Sequence, residues 1–369
     1  MAAPRLRLSE AREQYISSRR ATCSPATVAQ DVFVTRRFVA AVRDIWTHNL
    51  TADHVERWFL TLGEPHLCRD GRTRPAVKAT THNYYYARIK AFVRYLQARG
   101  LTRQDVMIHV RPRRVDRRQR QQPTAEQMWR MLENTTDARD RALLATAMNT
   151  GLRAGEIARL KVGDADLEAL TLRVWISKSL MEDLMPMTSD LARELGSWLT
   201  VYRSSVLQHH ARALAPDDHL FPPRRGSIFQ WVTLSDGSRE NRLVDRGYAP
   251  DRPMTKLHRV AQEALASIGL KTVHEGIHTF RRGAARVLFD RLVDQRGHDG
   301  ALRVTSALLH HSNASTTETY LGVSAERRTR DDFMKGQSIL GPRPYEQPAG
   351  DLVSLDRERA KRKVTYTER

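Results

Sequence analysis

Hydrophobic residues in the first third of the chain recur mostly at the spacing of amphipathic helices. Ser24-Pro25 favours a helix start, because a capping hydroxyl precedes a proline in the first turn. Thr51 can cap a second helix, and a third is expected to end at Gly100. The apolar positions of these three helices are Val28, Val32, Phe38, Val39 and Val42, then Val55, Trp58 and Phe59, then Tyr85, Ile89, Phe92, Val93 and Leu96. This pattern predicts a small helical bundle, with the first long helix beginning at Ser24.

The rest of the chain is predicted to be mainly helical with one small antiparallel sheet. Thr124 and Gln127 have the spacing of a capping box at the start of a helix. Alternation from Leu170 to Ser177 predicts a half-buried strand. The stretch 221–254 is rich in Gly, Pro, Arg and Ser, and we interpret it as a long loop or insertion. Helical spacing is found at 128–132, 143–148, 191–202 and 257–270, after His278, and at 301–310, and the strand face would hold Leu170, Leu172, Val174 and Ile176.

An arginine-rich segment separates these two parts. Residues 111–123 contain almost no apolar side chain, which is typical of an exposed connector. We therefore predict a helical domain at 1–110, a basic linker at 111–123, a second domain at 124–340 and a polar tail at 341–369. The arginines of the linker are Arg111, Arg113, Arg114, Arg117, Arg118 and Arg120.

The charge of the chain indicates a polyanionic partner. Its 369 residues carry a formal net charge of +19, and the pI is near 10.5. Nucleic acid is the leading candidate and a membrane surface is the alternative. No apolar stretch reaches the roughly 18 residues of a spanning helix, so we expect a soluble, cytoplasmic protein without a membrane partner. The two cysteines, Cys23 and Cys68, predict neither a disulfide framework nor a cysteine zinc site.

Near the carboxyl end, Tyr320 follows the pair His311-Ser312 at an interval of nine residues. A tyrosine hydroxyl can attack phosphorus and form a covalent phosphotyrosine, which conserves the bond energy for religation. A single tyrosine is more commonly a packing or surface residue. The assignment therefore depends on the cationic groups that accompany it.

Two arginines upstream stand in motifs that suit phosphate binding. Arg153 follows Thr150-Gly151-Leu152 and precedes Glu156, and Arg281 ends the string His278-Thr279-Phe280-Arg281. A guanidinium can hold two phosphate oxygens in a planar fork, which the point charge of a lysine does not match. Taken alone, each of these arginines would more commonly be a solvated surface residue.

One lysine is a candidate proton donor. Lys178 lies at the end of the predicted strand, and Lys161 is the alternative lysine. Chemistry on a phosphodiester needs a proton for the departing alkoxide, and an ammonium whose pKa is lowered near arginines can supply it.

In this order, the motifs resemble those of the tyrosine recombinases, also called phage integrases, over roughly the whole chain. The segment Leu308 to Ser312 resembles the family's Leu-Gly-His-Ser ending, and Tyr320 falls at the position of its nucleophile. The family's glycine is replaced by His310, which leaves two adjacent histidines, and we choose His311 on register. Arg282 stands where the family commonly has histidine.

This resemblance implies a fold and a set of catalytic residues. The fold would be mainly α with a small antiparallel β-sheet, made of a helical core-binding (SAM-like) domain and an α+β catalytic domain. Tyr320 would be the nucleophile, Lys178 on a β-hairpin the general acid, and His278 a helper in proton transfer. His311 would donate a hydrogen bond to a non-bridging oxygen. The implied catalytic residues are Arg153, Lys178, His278, Arg281, His311 and Tyr320, and the linker arginines would contact DNA phosphates.

The implied activity is site-specific DNA recombination by a homo-tetramer on two double-stranded DNA sites, through a Holliday junction, without a metal or other cofactor. The resemblance predicts an integrase that inserts or excises a mobile element in a prokaryotic or phage setting, associated with the nucleoid. Accessory DNA-bending or directionality factors are further candidate partners. A chromosome or plasmid dimer resolvase, a type IB topoisomerase-like enzyme and a non-catalytic DNA-binding regulator remain as alternatives.

Overall fold

In the computed structural model the chain divides into two compact units, residues 1–118 and 119–369. The division falls inside the arginine-rich segment 111–123. Lys178, Arg117, Arg118 and the tail 341–369 lie outside the described residues. Among the helices that the structure describes, none is long and apolar enough to cross a membrane. The structure describes residues 5–67, 71–102, 105–115, 120–177, 179–233 and 235–324, together with residues 329 and 334.

The first unit is a helical bundle that begins earlier than predicted. A helix at Leu8–Thr22 precedes the expected start at Ser24, so the prediction is wrong at this end. Few residues of this helix are buried, and they stand among arginines. The helical spacing of apolar residues is therefore weak in the sequence. The described elements of this unit are α1 (Leu8–Thr22), α2 (Pro25–Ala41), α3 (Ala52–Leu62), β1 (His66–Leu67), β2 (Thr73–Arg74) and α4 (Ala79–Ala98).

A buried carboxylate joins three helices of this unit. Asp31 on α2 is fully buried and pairs with Arg19 of α1 at 2.9 Å and with Arg88 of α4 at 3.1 Å. Removal of either arginine would weaken the compensation of a buried charge, which is costly. The predicted start of α2 is confirmed, because the Ser24 hydroxyl accepts a hydrogen bond from the Thr27 amide at 3.3 Å.

The second unit is mostly helical. Its predicted capping box is confirmed: Thr124 and Gln127 exchange side-chain to backbone hydrogen bonds of 3.2 and 3.0 Å. The described helices are α5 (Ala125–Glu133), α6 (Ala138–Thr150), α7 (Ala154–Arg159), α8 (Ser189–His210), α9 (Leu257–Ala266), α10 (Ile277–Leu308) and α11 (Ala314–Leu321). The described strands are β3 (Ala165–Asp166), β4 (Thr171–Ile176), β5 (Met181–Pro186), β6 (Ile228–Thr233) and β7 (Arg239–Val244).

A small antiparallel sheet of order β3-β4-β5 lies where the alternation predicted a strand. Leu172, Val174 and Ile176 are buried on one face of β4 as expected. Leu170 is 43% exposed, and its φ of +53° places it in a turn before the strand rather than in the pleat. The prediction that Leu170 belongs to the buried face of the strand is therefore wrong.

The insertion contains an antiparallel hairpin. Strands β6 and β7 pair with each other from Ile228↔Val244 to Thr233↔Arg239. Of the two interpretations of 221–254, a long loop or an insertion, the loop is therefore wrong. Both strands are largely exposed. Their sequences therefore lack the alternation of apolar and polar residues that predicts a half-buried strand. The insertion ends in the core, where Phe221 and Met254 are buried.

Helix α10 is interrupted at Gly297, whose φ of +69° and ψ of 173° are not helical. Its first part packs into the main hydrophobic core of the unit through Phe280. Around the interruption, a smaller cluster includes Phe289, Leu309 and Leu321. This smaller cluster seats α11, which carries Tyr320.

Candidate active site

A tight turn between α6 and α7 positions Arg153. Gly151 ends α6 with a φ of +61°, a left-handed conformation that glycine adopts without steric cost. Arg153 then caps α7, and the buried Glu156 accepts hydrogen bonds from its backbone amide at 2.8 Å and from its Nη1 at 2.9 Å. The Arg153 side chain stays 23% exposed. The motif therefore holds a guanidinium in place at the protein surface.

Arg281, in the first turns of α10, lies at the centre of the site and is only 2% exposed. Its guanidinium donates hydrogen bonds to the carbonyl oxygens of Gly151 and Leu309. One side chain thus joins the α6–α7 turn to the end of α10. Burial lowers the pKa of Arg281 to about 10, with a further contribution from Arg153, so the group remains a cation at neutral pH.

Tyr320 is half-buried on α11, and its hydroxyl donates a hydrogen bond to the carbonyl oxygen of His278 at 3.4 Å. Burial raises the pKa of Tyr320, while the charges of Arg281, Arg282 and Arg153 oppose that rise. The hydroxyl is therefore protonated at neutral pH and must lose its proton to act as a nucleophile.

His311 faces the tyrosine. The two rings are nearly perpendicular, at 87°, with centroids 5.7 Å apart. Its Nδ1 lies 2.9 Å from the hydroxyl of Thr317, which accepts a hydrogen bond from the Ser306 hydroxyl at 2.8 Å. The Thr317 hydroxyl can donate to Nδ1 while it accepts from Ser306. In that arrangement the imidazole proton is on Nε2, and His311 can act as a donor through Nε2.

His278 begins α10 beside the same arginines. Partial desolvation lowers its pKa, and the positive charges of Arg281 and Arg282 lower it further, followed by those of Arg153 and Arg120. The imidazole is therefore neutral at physiological pH and can accept a proton.

The structure separates the two adjacent histidines. His310 has a φ of +49°, so the backbone keeps the left-handed conformation that suits the family's glycine. Its Nε2 lies 2.7 Å from the carboxylate of Asp183 on β5, whereas His311 faces Tyr320. The geometry thus favours the choice of His311 on register.

Several supporting contacts were not predicted from the sequence. Arg282, which stands where the family commonly has histidine, is buried, pairs with Glu275, and donates from Nε to the Gln121 carbonyl at 2.9 Å. Gln122 donates to the carbonyl of Leu321, directly after the tyrosine, at 2.9 Å. These contacts bind the start of the second unit to α10 and α11. These contacts depend on tertiary neighbours, and no sequence motif predicts them.

The linker arginines divide between the two units. Arg111, Arg113 and Arg114 are exposed in the first unit, where the backbone of Arg113 exchanges hydrogen bonds of 2.7 and 2.8 Å with the Asn83 side chain on α4. Arg120 belongs to the second unit, and its charge contributes to the lowered pKa of His278. A contact with DNA phosphates remains a prediction for all six linker arginines.

Lys178, the predicted general acid, falls in sequence between β4 and β5. These strands are paired up to Ile176↔Met181, so a β-hairpin stands where the sequence placed that lysine. The alternative, Lys161, lies 3.0 Å from Nε2 of His219. That contact engages Lys161 with a histidine outside the proposed set.

The described part of the chain holds no group of three or more His, Cys, Asp or Glu side chains arranged to bind a metal ion. The positive charges that act on Tyr320 are those of Arg281, Arg282 and Arg153, of which Arg282 pairs with Glu275 and Arg153 with Glu156. Such a cluster can bind a phosphate and stabilise charge on its oxygens.

Comparisons with known proteins identify the family of the chain. The model of the phage integrase family matches residues 121–327. Tyrosine recombinase XerD of Proteus mirabilis is 26% identical over 255 residues, which cover 68% of this chain and 70% of that protein. Tyrosine recombinase XerC of Shewanella amazonensis is 30% identical over 182 residues, 49% of this chain and 48% of that protein.

Solved structures show the same fold. A lambda integrase dimer bound to a core site matches with a TM-score of 0.59 and 13% identity, over 86% of this chain and 78% of that chain. The XerH recombinase bound to a palindromic difH substrate, in a post-cleavage complex, matches with a TM-score of 0.56 and 13% identity, over 88% and 84%. The predicted fold class is confirmed by these similarities and by the mainly helical structure.

Proposed function

Because the chain belongs to the phage integrase family, we propose that it is a site-specific recombinase that cuts and rejoins DNA through a covalent 3′-phosphotyrosine at Tyr320. The observation that carries the proposal is the grouping of the Tyr320 hydroxyl with the His278 backbone carbonyl, the His311 ring and the charge of Arg281. These groups supply a nucleophile, a cation, a proton acceptor and a hydrogen-bond donor.

The scissile phosphate would be held by Arg153, Arg281 and His311. Two of the five N–H donors of Arg281 are directed at backbone carbonyls, which fixes the plane of its guanidinium. The others can face a phosphate oxygen. Nε2 of His311 donates to a second non-bridging oxygen, and these fixed groups oppose the charge that develops during transfer.

In the cleavage step, the Tyr320 oxygen attacks phosphorus and the bond from phosphorus to the 5′ oxygen breaks. The tyrosine proton passes to neutral His278, and Lys178 delivers a proton to the departing 5′ oxygen. The product is a 3′-phosphotyrosine ester and a free 5′ hydroxyl. Attack by the 5′ hydroxyl of a second duplex reverses these bond changes and joins the strands.

We infer that a homo-tetramer carries out strand exchange on two DNA sites. One of the matched solved structures is described as a lambda integrase tetramer bound to a Holliday junction, with a TM-score of 0.58. As the biological role we propose integration or excision of a mobile element, and dimer resolution is the competing role. Sequencing of recombinant junctions from cells that express the protein tests this choice. Element ends joined to an unrelated chromosomal site support integration, and exchange confined to sister copies of one site refutes it.

The nucleophile is tested with a nicked suicide substrate that traps the covalent intermediate. Wild-type protein should form an adduct in the presence of EDTA, and mass spectrometry should place it on Tyr320. Tyr320→Phe should bind DNA with wild-type affinity and form no adduct. Tyr202→Phe is the matched control, because the Tyr202 hydroxyl is buried with no hydrogen-bond partner among the described residues.

Three results would contradict this assignment. An adduct on another residue, or covalent trapping by Tyr320→Phe, would reject Tyr320 as the nucleophile. Loss of wild-type cleavage in EDTA would reject the metal-free mechanism. Relaxation of supercoiled DNA without any strand-exchange product would favour a type IB topoisomerase-like enzyme.

A further inference from the structure

His310 occupies the short stretch of backbone between two parts of the site. The carbonyl of Leu309, before it, accepts a hydrogen bond from Arg281, and His311, after it, faces Tyr320. Its φ of +49° lies in the left-handed region, which is sterically unfavourable for a non-glycine residue. Glycine would avoid that cost. A histidine here therefore calls for a side-chain contact that offsets it.

That contact is a hydrogen bond with Asp183. Nε2 of His310 lies 2.7 Å from Oδ2 of the carboxylate, and the histidine side chain is 9% exposed. The other ring nitrogen is buried and has no hydrogen-bond partner within the described part of the chain. The polar contact of this imidazole is thus directed at one residue, 127 positions away in the sequence.

Asp183 belongs to the hairpin that brackets Lys178. On β5 it pairs with Val174 of β4, and the ladder continues to Ile176↔Met181 at the end of the hairpin. Because backbone hydrogen bonds join the two antiparallel strands, a bond to β5 also restrains β4. The His310–Asp183 bond therefore connects the hairpin to the backbone that holds Arg281 and His311.

We propose that His310 and Asp183 form a positioning pair that holds the β4–β5 hairpin against the Tyr320 site, so that Lys178 protonates the departing 5′ oxygen. This proposal deepens the proposed function and rests on it. In this proposal the His310 side chain, which replaces the family's glycine, supports protonation of the leaving group rather than phosphate binding.

A substrate with sulfur in place of the bridging 5′ oxygen tests this role directly. A thiolate leaves without a proton because a thiol is far more acidic than an alcohol, so the general acid becomes dispensable with this substrate. Lys178→Ala is the reference variant, with slow cleavage of the oxygen substrate and near wild-type cleavage of the sulfur substrate.

The pair is removed with His310→Gly and Asp183→Ala. His310→Gly removes the imidazole and relieves the left-handed backbone, so we expect it to fold. Both variants should form the covalent complex about 10–10²-fold more slowly on the oxygen substrate, because a misplacement of about 1 Å can cost 10²-fold. On the sulfur substrate both should approach the wild-type rate. His310→Gln retains an N–H donor and should restore much of the rate on oxygen.

Glu182→Ala provides the matched control. Glu182 is the adjacent carboxylate on the same strand, is exposed, and lies opposite Trp175 in the ladder. This variant should cleave both substrates at wild-type rates. DNA affinity is measured for every variant, because a loss of cleavage that only reflects weaker binding is not a positioning effect.

Each outcome decides the proposal. Wild-type rates for His310→Gly and Asp183→Ala on oxygen would overturn it, and so would a defect that the sulfur substrate does not correct, since the pair would then act on the fold or on phosphate binding. Failure of the wild-type protein to form a phosphotyrosine on either substrate would instead reject the proposed function.

Discussion

The hydrogen-bond chain from Ser306 through Thr317 to His311 provides a sharp test of the site. Thr317→Val replaces the hydroxyl with a methyl group of similar size. It removes the 2.8 Å bond from Ser306 and the 2.9 Å contact with His311. Thr317 is fully buried and Ser306 is 6% exposed, so solvent has little access to replace the lost partner.

The magnitude follows from these two contacts. Each net hydrogen bond contributes about 1 kcal/mol, and an unpaired buried hydroxyl adds to the loss, so we expect Thr317→Val to lower the free energy of unfolding by about 2–3 kcal/mol. In a unit of this size the Tm should fall by about 4–12 °C. Without the Thr317 hydroxyl, His311 loses the hydrogen bond at Nδ1 that favours the tautomer with its proton on Nε2. A lost donor to a phosphate oxygen should slow cleavage about 10²-fold.

The assay compares Thr317→Val with Thr317→Ser. Serine keeps the hydroxyl and loses one methyl group, at a cost of about 1 kcal/mol in stability. Differential scanning calorimetry reports Tm, and single-turnover cleavage of the suicide substrate, well below both melting temperatures, reports the chemistry. We expect the serine variant to cleave within a few-fold of wild type. Equal cleavage rates for the valine and serine variants would refute the reasoning about the tautomer.

Two further predictions concern the charges of the site. At DNA concentrations below Kd, the rate of covalent complex formation should stay constant as the pH falls from 8 to the ordinary histidine pKa of 6.5 and decline only below it, because the lowered pKa keeps His278 neutral. A pH titration of single-turnover rates checks this, and a decline centred above that value would contradict it. Arg281→Lys should bind DNA within a few-fold of wild type yet cleave it about 10²–10³-fold more slowly, because a lysine nitrogen does not reproduce the planar fork that spans Gly151, Leu309 and the phosphate. Gel-shift and suicide-substrate assays separate these two effects, and wild-type cleavage by this variant would remove Arg281 from the proposed site.

Local patterns in the sequence were sufficient for most of the helices and for one strand. The capping box of Thr124 and Gln127, the start of α2 at Ser24 and the buried face of β4 all appear in the structure. These features depend on neighbours a few residues apart. Helix α1 and the β6–β7 hairpin were missed, since their side chains do not alternate between core and solvent in a recognisable period.

The candidate site divides in a similar way. The resemblance of short motifs to those of the tyrosine recombinases identified Arg153, His278, Arg281, His311 and Tyr320 as candidates. In the structure Tyr320 contacts the His278 carbonyl and the His311 ring, and the charges of Arg281 and Arg153 act on its hydroxyl. Their catalytic roles stay predictions, as does that of Lys178. Register in the sequence favoured His311 over His310, and in the structure it is His311 that faces Tyr320. The partner of His310, Asp183, could not be predicted because it lies 127 positions away.

The order and spacing of short motifs thus pointed by themselves to the family and to a candidate nucleophile with its arginines, because those motifs carry reactive groups at intervals that a sequence displays directly. The tertiary structure decided how the groups are oriented. Arg281 is fixed by two backbone carbonyls, His311 by a threonine that accepts from a serine, and His310 by a carboxylate on another element. Each partner is brought close by packing between distant segments, and the direction of a hydrogen bond depends on that packing rather than on any local pattern.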